Sequence, residues 1–485
     1  MAGASVTKHS SPLLLEPSER AALWNRLIQR IEEYLRGVDD VRVAPRLDIG
    51  ELRRLLEPYT FEHPQDPLTA LDFVVKGSWQ HQVHNSHVHC YGLFNPQPST
   101  MSIAADALVA AFNPQLAAWS HSPFAVEVEQ HLVRAFAERF GYNSEVCDGT
   151  FTSGGAEANH TGVLCALTHL FPPFSRSGVR GLDAQPVFYV SDQSHHSLLK
   201  AGRMCGLGTD AVRAITLDAD GRMDVDALAT QIHTDRQQGF APFMVAGTAG
   251  TTSAGVVDPL PALAELCARE NLWLHVDAAW GGAAVMAPEL RGVLSGIERA
   301  DSITFDAHKW LSVPMGAGIF LTRHRDILHR TFRIATGYMP REAEGMGITD
   351  PYTHSMQWTR RFIGLKVFLT LAVAGWDGYA HAIRQQTAMG DRLRRSLEET
   401  GWEVVNRTAL PVVCFRDLQH NPPADADAIA RCVVASGKAW LSTVPFNGGL
   451  PVLRACITNY RTGPHEIRHL VSELDAARQT VKQTT

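Results

Sequence analysis

The sequence lacks the features that would assign it to several specialised classes of protein. No stretch approaches the roughly 20 unbroken apolar residues of a membrane-spanning helix, and the eight cysteines form no C-x-x-C pair. The net charge of −6 provides no positive excess for binding nucleic acid or an anionic membrane. Residues 1–15 lack the basic start and apolar core of a secretion signal. We therefore expect reduced thiols, a cytoplasmic location and no binding to membranes or nucleic acid.

The remaining composition is that of a globular protein with more than one domain. Of the 485 residues, 45% are hydrophobic and 19% are charged. We predict a helical dimerisation segment at residues 1–75, a large domain at 76–375 and a small α+β domain at 376–485. The first segment has an apolar residue every four positions from Leu23 to Leu35, which predicts a helix. Because few other apolar residues lie near this stripe, we expect it to pack on a second copy of the chain in a homodimer.

The middle of the chain predicts an α/β fold. Short apolar runs alternate with helical segments between residues 150 and 325, which favours a mostly parallel central sheet with helices on both faces. The runs are Val187–Val190, Phe243–Ala246, Leu272–Val276, Ile303–Phe305 and Gly318–Thr322. Further apolar runs after residue 400, with helical segments near 424–436 and 464–480, predict the small α+β domain.

Residues suited to chemistry follow the apolar runs. In an open parallel sheet, ligands bind beyond the carboxyl ends of the strands. Asp277 follows the run that ends at Val276, and the pair His308-Lys309 follows the run that ends at Phe305. A lysine and an aspartate on neighbouring strand ends are what pyridoxal 5'-phosphate requires, because the amine forms a Schiff base and the carboxylate keeps the pyridine nitrogen protonated.

A small-residue turn before a helix is a candidate cradle for the phosphate. The segment Thr152–Asn159 reads Thr-Ser-Gly-Gly-Ala-Glu-Ala-Asn and leads into a predicted helix. Backbone N–H groups at a helix N-terminus bind phosphate, and glycine permits close approach. We predict Ser153, Gly155 and Ala156 as phosphate ligands, with His308 as a side-chain partner. Taken alone, such a turn is more often only a helix cap.

Together, four segments resemble the pyridoxal-phosphate-dependent group II amino-acid decarboxylases, which include the aromatic-L-amino-acid and glutamate enzymes. The segments are Thr152–Asn159, Ser191–His195, His275–Ala279 and Asp306–Trp310, and the similarity runs in order from about residue 60 to the C-terminus. The resemblance implies the aspartate-aminotransferase-type fold (fold type I) and an obligate dimer with active sites at the subunit interface. It also implies a carboxy-lyase that converts an amino acid to an amine and carbon dioxide.

The resemblance also implies roles for individual residues. Lys309 would form the Schiff base, Asp277 would pair with the ring nitrogen, and His195 would stack on the ring. His196 is an alternative for the stacking role. The residues Thr248 and Ala279 would lie beside the cofactor. Asp306 stands where aromatic enzymes often carry asparagine, and we expect it to point away because a carboxylate near phosphate is unfavourable.

Substrate choice is less defined by the sequence. By resemblance, Leu93 and Phe94 line the side-chain pocket, and Arg454 holds the substrate carboxylate. Thr359 would reach the neighbouring subunit's site, where a hydroxyl suits phenolic rings. An aromatic, phenolic substrate is therefore favoured, while Leu93 and Asn95 depart from the aromatic pattern. The alternatives are an acidic or diamino substrate such as glutamate or 2,4-diaminobutyrate, or another activity of the same cofactor such as transamination.

Four histidines between His81 and His89 do not predict a metal site. Their spacing fits neither a helix face nor a finger pattern, and no cysteine or carboxylate cluster accompanies them. Pocket and interface positions are the favoured interpretation, and we predict that the chain has no metal site.

The segment Phe332–Pro340 resembles the catalytic loop of the aromatic decarboxylases, with Tyr338 at the position of the tyrosine that protonates the substrate carbon. A phenol can donate that proton, whereas the phenylalanine of aldehyde-forming relatives cannot. Tyr338 therefore favours simple decarboxylation to the amine.

Replacing Tyr338 with phenylalanine is expected to divert the chemistry without abolishing it. Amine formation should fall by about 100-fold, the lower range for loss of a general acid, while carbon dioxide release falls less. Separate quantification of amine and carbon dioxide from the same reaction measures the ratio. A parallel loss of both products would contradict the proton-donor role.

Overall fold

The computed structural model describes residues 11, 13–334, 348–420, 424–446 and 449–484. Its α-helices are α1 (Pro17–Gly37), α2 (Ile49–Leu56), α3 (Pro67–His81), α4 (Thr100–Phe112), α5 (Pro123–Arg139), α6 (Gly155–Leu170), α7 (Phe174–Ser177), α8 (Ser197–Met204), α9 (Val225–Gln237), α10 (Leu260–Glu270), α11 (Ile327–Phe332), α12 (Gly364–Glu399), α13 (Ala426–Ser436) and α14 (Pro464–Thr484). Its strands are β1 (Asp148–Thr152), β2 (Pro186–Ser191), β3 (Val212–Ile215), β4 (Ala241–Thr248), β5 (Trp273–Asp277), β6 (Ser302–Asp306), β7 (Gly318–Thr322), β8 (Trp402–Val404), β9 (Val412–Asp417), β10 (Ser442–Phe446) and β11 (Leu450–Cys456).

A seven-stranded sheet forms the centre of the molecule, with the strand order β1-β7-β6-β5-β4-β2-β3. Strands β6, β5, β4, β2 and β3 run parallel, and β7 is antiparallel to both of its neighbours. All residues of β1, β2, β5, β6 and β7 are buried, as expected of strands covered on both faces. The predicted mostly parallel sheet is confirmed, and each predicted central run lies on a strand.

Helices cover both faces of this sheet. On one face α6 packs across the central strands. On the other face Leu260 and Leu263 of α10 lie so close to Gly247 of β4 that an added Cβ would be 3.1 and 3.0 Å from them. The predicted arrangement of helices on both faces is thereby confirmed.

The close packing of α6 on β5 depends on two glycines, Gly155 and Gly162. Gly155, Asn159 and Gly162 recur at intervals of four and three positions, so they share one face of the helix. That face lies on the side of β5 that carries His275 and Asp277. A Cβ on Gly162 would be 2.8 Å from two atoms of the His275 ring. Glycine at this position therefore lets the helix approach the strand and brings its N-terminus to the edge of the sheet.

The C-terminal part forms the predicted small α+β unit. Strands β10-β11-β9-β8 make an antiparallel sheet, and a second apolar core that includes Leu393, Trp402 and Leu474 packs beneath it. The helical run of α12 is interrupted at Gly375, whose φ of 63° lies outside the helical region. The predicted domain boundary between residues 375 and 376 falls at this interruption. The boundary at 75/76 falls inside α3, and both boundaries remain predictions.

Helix α1 confirms the predicted N-terminal helix, but none of its residues is buried in the single chain. Its Trp24 and Ile28 side chains are 54% and 62% exposed. Within the described ranges, no helix combines the length and apolar character that crossing a membrane would require.

Replacing Gly162 with alanine is expected to lower the free energy of unfolding by about 1–3 kcal/mol, the usual cost of overpacking a core. The added Cβ would collide with the buried His275 ring. Denaturant unfolding followed by circular dichroism measures the change. Gly77→Ala is the matched control, because a Cβ added there on α3 meets no described atom within 4 Å beyond its chain neighbours and its own helix backbone. Equal stabilities of the two variants would contradict the close packing of α6.

Candidate active site

The carboxyl ends of β4, β5 and β6 meet at one cavity. Thr248 and Asp277 end neighbouring strands as register partners, and Asp306 ends the next strand. The cavity is lined by Gly155, Ala156, Asn159, His195, Ser197, Thr248, Gly250, Thr252, Asp277, Ala279, Trp280, Asp306 and Lys309. The predicted residues that lie together here are Gly155, Ala156, His195, Thr248, Asp277, Ala279 and Lys309.

Lys309 lies on a turn that neighbouring segments hold in place. Its backbone N–H donates to the Asp306 carbonyl at 3.2 Å. The Asn95 amide donates to the His308 carbonyl at 2.9 Å, so Asn95 supports the backbone of the His-Lys pair. The Lys309 side chain is 24% exposed, and its Nζ lies 3.0 Å from Asp306 Oδ2. The amine thus faces the cavity from a fixed turn.

Asp306 also faces the cavity, so the expectation that it points away is wrong. Its side chain is 2% exposed, and its Oδ2 lies 3.0 Å from Lys309 Nζ and 3.8 Å from His308 Nε2. The expectation considered only repulsion from a phosphate. In the structure the lysine ammonium pairs with the carboxylate, and this attraction offsets part of the cost of burying it.

Asp277 is held as a hydrogen-bond acceptor. Its Oδ2 accepts from Asn159 Nδ2 at 2.7 Å, and its Oδ1 accepts from the Ala279 N–H at 3.1 Å. The side chain is buried at the end of β5. Both contacts use the acceptor positions of an ionised carboxylate, the form that can pair with a protonated pyridine nitrogen.

His195, and not His196, lies at the cavity. Its Nδ1 is 2.8 Å from Ser197 Oγ and accepts the Ser197 N–H at 3.2 Å. A neutral ring in this position carries its proton on Nε2. His196 lies instead in a separate surface depression with Leu199 and Lys200. The alternative assignment of the stacking role to His196 therefore has no support from the geometry.

The first turn of α6 lies at the cavity, where the anion cradle is predicted. The N–H groups of Glu157 and Ala158 already donate to the Gly154 carbonyl. The N–H groups of Gly155 and Ala156 come earlier in the helix, where no intrahelical acceptor exists, and both residues line the cavity. A Cβ on Gly155 would lie 2.9 Å from Asp306 Oδ2, so the close approach requires glycine.

Ser153 and His308 differ in how well they fit the same cradle. The N–H and hydroxyl of Ser153 both donate to Glu157 Oε2, at 2.8 and 2.7 Å, and the residue is exposed. Its role as a phosphate ligand therefore remains a prediction.

His308 Nδ1 accepts the Ala317 N–H at 3.1 Å, which leaves Nε2 as the protonated nitrogen near Asp306. Burial lowers the pKa of His308, so the ring is neutral near pH 7 and retains this one donor.

A buried arginine and an aromatic pair stand beside the cavity. Arg454 donates to the carbonyls of Thr252 and Gly92 at 2.5 and 2.7 Å. Its buried Nε has no hydrogen-bond partner within the described part of the chain. The Phe94 ring lies 5.5 Å from the guanidinium and stacks on Trp280 at 4.6 Å between ring centroids. This side of the site combines an apolar wall with a cation that has an unused donor.

Three further predicted site residues are not among the described residues that line the cavity of the single chain. Leu93 is half-buried next to Phe94, and Thr359 is exposed and does not line the cavity. Tyr338 lies outside the described residues. The roles of Thr359 and Tyr338 therefore remain predictions.

Five residues of the cavity were not predicted from the sequence, namely Asn159, Ser197, Gly250, Thr252 and Trp280. Asn159 had a detectable signal, because it lies one helical turn after Gly155 and hence on the same face. Thr252 lies in the polar segment after β4, and Trp280 follows the Asp-Ala-Ala motif. Nothing local distinguishes Ser197 from other serines at helix starts.

The side chains in this cavity fit pyridoxal phosphate. An amine, a buried carboxylate acceptor, an imidazole and an unfilled helix N-terminus match the aldehyde, pyridine nitrogen, ring face and phosphate of that cofactor. Gly155 is needed at this helix start, because a Cβ there would lie 2.9 Å from Asp306 Oδ2 and 3.3 Å from Ala279 Cβ.

Comparisons with known proteins agree with this donor set. The family model described as the pyridoxal-dependent decarboxylase conserved domain matches residues 50–417. An aromatic-L-amino-acid decarboxylase of Bacillus atrophaeus is 31% identical over 97% of this chain and 98% of its own. An L-2,4-diaminobutyrate decarboxylase of Rhizobium meliloti is also 31% identical, over 98% of this chain and 95% of its own.

A solved structure extends the similarity to the fold. The crystal structure of Oryza sativa TDC with PLP and tryptamine superposes with a TM-score of 0.90 at 25% identity, over 97% of this chain and 99% of that chain. The predicted fold type I is thereby confirmed. With the family model covering most of the chain, these findings show that the protein belongs to the pyridoxal-dependent decarboxylases and is an amino-acid decarboxylase that uses pyridoxal phosphate.

Proposed function

We propose that the protein converts an aromatic L-amino acid, preferably a phenolic one, to the corresponding amine and carbon dioxide. The observation that carries this choice is the stacked pair Phe94 and Trp280 beside the cavity, with ring planes inclined by 25°. An apolar wall of this kind offers a flat aromatic ring favourable contact area. The aromatic decarboxylase of Bacillus atrophaeus, similar over nearly its full length, supports the same class of substrate.

Each residue would have one task during turnover. Bound pyridoxal phosphate supplies a ring that accepts the electron pair left by the departing carboxylate. Lys309 would hold the cofactor through its side-chain amine. Asp277 would pair with the pyridine nitrogen through the carboxylate that accepts from Asn159 and from the Ala279 N–H. Tyr338 would return a proton to the substrate α-carbon.

Arg454 would bind the substrate carboxylate. Its guanidinium is buried and held by two carbonyl oxygens, while its Nε remains without a partner in the described residues. A carboxylate would complete these hydrogen bonds and offset the cost of burying the charge. This contact positions the substrate and takes no part in proton transfer.

The same arginine favours an acidic substrate as the second candidate. A side-chain carboxylate could occupy the position that a main-chain carboxylate would otherwise take. A diamino acid is the further possibility that the Rhizobium meliloti relative raises. Both alternatives remain decarboxylations by the same Lys309 and Asp277.

A substrate panel measured on the holoenzyme tests the proposal. Tyrosine and dopa should give the highest kcat/KM, ahead of phenylalanine, tryptophan, glutamate and 2,4-diaminobutyrate. The proposed substrate pocket would combine the aromatic wall of Phe94 and Trp280 with the hydroxyl of Thr359 from the neighbouring subunit. Lys309→Ala should lose about 10⁴-fold or more of the activity, as expected for removal of a covalent catalyst. Lys438→Ala, at a lysine that pairs with Glu473 on the surface, is the control and should retain wild-type activity. A preference for glutamate or 2,4-diaminobutyrate would replace the aromatic assignment.

We also propose a homodimer with the active site near its interface, in the cytosol. Large apolar side chains are exposed on α4 and α5, where Phe112 is 81% and Phe124 is 71% exposed. They border an apolar groove to which α12 contributes Leu365 and Phe368, and Phe362 lies just before that helix. Such a contiguous apolar surface marks an interaction site. The cysteines, all of which lie in the described ranges, are free, as in a reducing compartment.

Replacing both Phe112 and Phe124 with aspartate should convert the dimer to a monomer. A buried interface aromatic contributes about 2 kcal/mol or more, so the double change should raise the dimer dissociation constant by several orders of magnitude. Sedimentation velocity at micromolar concentration measures the outcome. Leu418→Asp, at a leucine 59% exposed in the C-terminal part, is the control and should stay dimeric. A wild-type monomer, or a dimeric double variant, would contradict this interface.

A further inference from the structure

A series of buried hydrogen bonds runs along one face of β5, from Trp273 to Asp277. Trp273, His275 and Asp277 alternate along β5 and so face the same side, beneath α6. Trp273 Nε1 donates to Ser302 Oγ at 2.8 Å, and Ser302 Oγ lies 2.8 Å from His275 Nδ1. His275 Nε2 lies 3.0 Å from Asn159 Oδ1. Asn159 Nδ2 donates to Asp277 Oδ2 at 2.7 Å, which completes the chain.

The groups at its two ends determine which atom donates and which accepts in each of these hydrogen bonds. An indole N–H only donates, and an ionised carboxylate only accepts. The Asn159 amide nitrogen must therefore face Asp277, and its oxygen must accept from a protonated His275 Nε2. His275 Nδ1 then accepts the hydroxyl proton of Ser302. Full burial lowers the pKa of His275 to about 4, so the ring is neutral and has the single proton that this direction requires.

The Asn159 amide group connects this series of hydrogen bonds to two active-site residues. Its amide has two hydrogens, and the second is directed at Ser197 Oγ, 2.8 Å away. Ser197 Oγ in turn lies 2.8 Å from His195 Nδ1. One buried amide therefore contacts Asp277 directly and His195 through Ser197.

We propose that Asn159 is a positioning residue that holds Asp277 as an ionised acceptor and fixes the tautomer of His195. The inference rests on the roles proposed above for Asp277 and His195. Without the amide, the Asp277 carboxylate loses one of its two donors, and the Ser197 hydroxyl loses its orientation toward His195. Hydrophobic burial alone would leave both side chains free to rotate.

The surrounding contacts leave the network few alternatives. Gly162 of α6 packs against the His275 ring, where a Cβ would be 2.8 Å away. Thr304 Oγ1 lies 3.3 Å from His275 Nε2 and can accept from the same N–H, which reinforces the tautomer. Among the described residues that line the cavity with Asn159, the charged or titratable side chains are Asp277, Asp306, Lys309 and His195.

Asn159→Asp tests the proposal with a side chain of the same shape. It keeps an acceptor for His275 but removes both donors and places a second carboxylate where the amide now lies 2.7 Å from Asp277 Oδ2. The dissociation constant of pyridoxal phosphate should rise by about tenfold or more, the usual result of losing an outer hydrogen bond that orients a ligand group. The absorbance of the bound cofactor should also gain a titration with pH that the wild type lacks, because two adjacent carboxylates share a proton.

Asn459→Asp is the matched control, since Asn459 is also a buried amide but donates to the carbonyls of Ser86 and His87. It should affect unfolding without the new titration. If Asn159→Asp fails to fold, Ser302→Ala is the second variant, because it removes the hydroxyl that donates to His275 Nδ1. It should also raise the dissociation constant of pyridoxal phosphate, by about threefold, which is less than the loss of Asn159 itself. Cofactor affinity and pH profile unchanged in a folded variant, or changed equally in the control, would overturn the proposal. If Asp277→Asn itself leaves cofactor binding unchanged, the role of Asp277 fails, and this inference fails with it.

Discussion

The close contact between α6 and β5 is the constraint on which the active site depends. Gly155 and Gly162 remove the side chains that would hold the helix away from the strand. As a result, the first turn of α6 reaches the edge of the sheet, and its N–H groups open into the cavity. The same approach brings Asn159 to within 2.7 Å of Asp277. The anion cradle and the carboxylate are thus positioned by a single packing surface.

Three charged side chains, Asp277, Asp306 and Lys309, line the cavity. Two carboxylates, Asp277 and Asp306, are buried, and the amine of Lys309 pairs with the second of them. Each carboxylate receives donors from a different source, because a buried charge without partners would cost several kcal/mol. Asp277 accepts hydrogen bonds from Asn159 and from the Ala279 N–H, whereas the ion pair of Lys309 in the described residues is with Asp306. This separation keeps the amine and the acceptor available for the opposite ends of one planar cofactor.

The substrate side of the site is built from other elements. Phe94 comes from the N-terminal part of the chain, Trp280 follows β5, and Arg454 lies on β11 of the small C-terminal sheet. The three groups meet because the small unit packs against the large one. A change in the loop around residue 94 could therefore alter the substrate while the cofactor contacts stay intact. This arrangement is consistent with relatives that are equally similar to this chain but act on aromatic and on diamino acids.

The sequence by itself determined five of the seven strands of the central sheet, their order along the chain and the residues Asp277 and Lys309. These follow from local patterns, because an apolar run predicts a buried strand and a polar residue directly after it must lie at the strand's end. Only the tertiary structure decided that Asp306 faces Lys309, that Asn95 supports the His308 backbone and that Ser153 is bound by Glu157. It also decided that Asn159 joins His275, Asp277 and Ser197. Asp306 and Lys309 are three positions apart and Ser153 and Glu157 are four apart, yet the apolar pattern does not specify how these side chains are oriented. The other contacts join different elements, and they depend on which donor or acceptor the fold brings within about 3 Å.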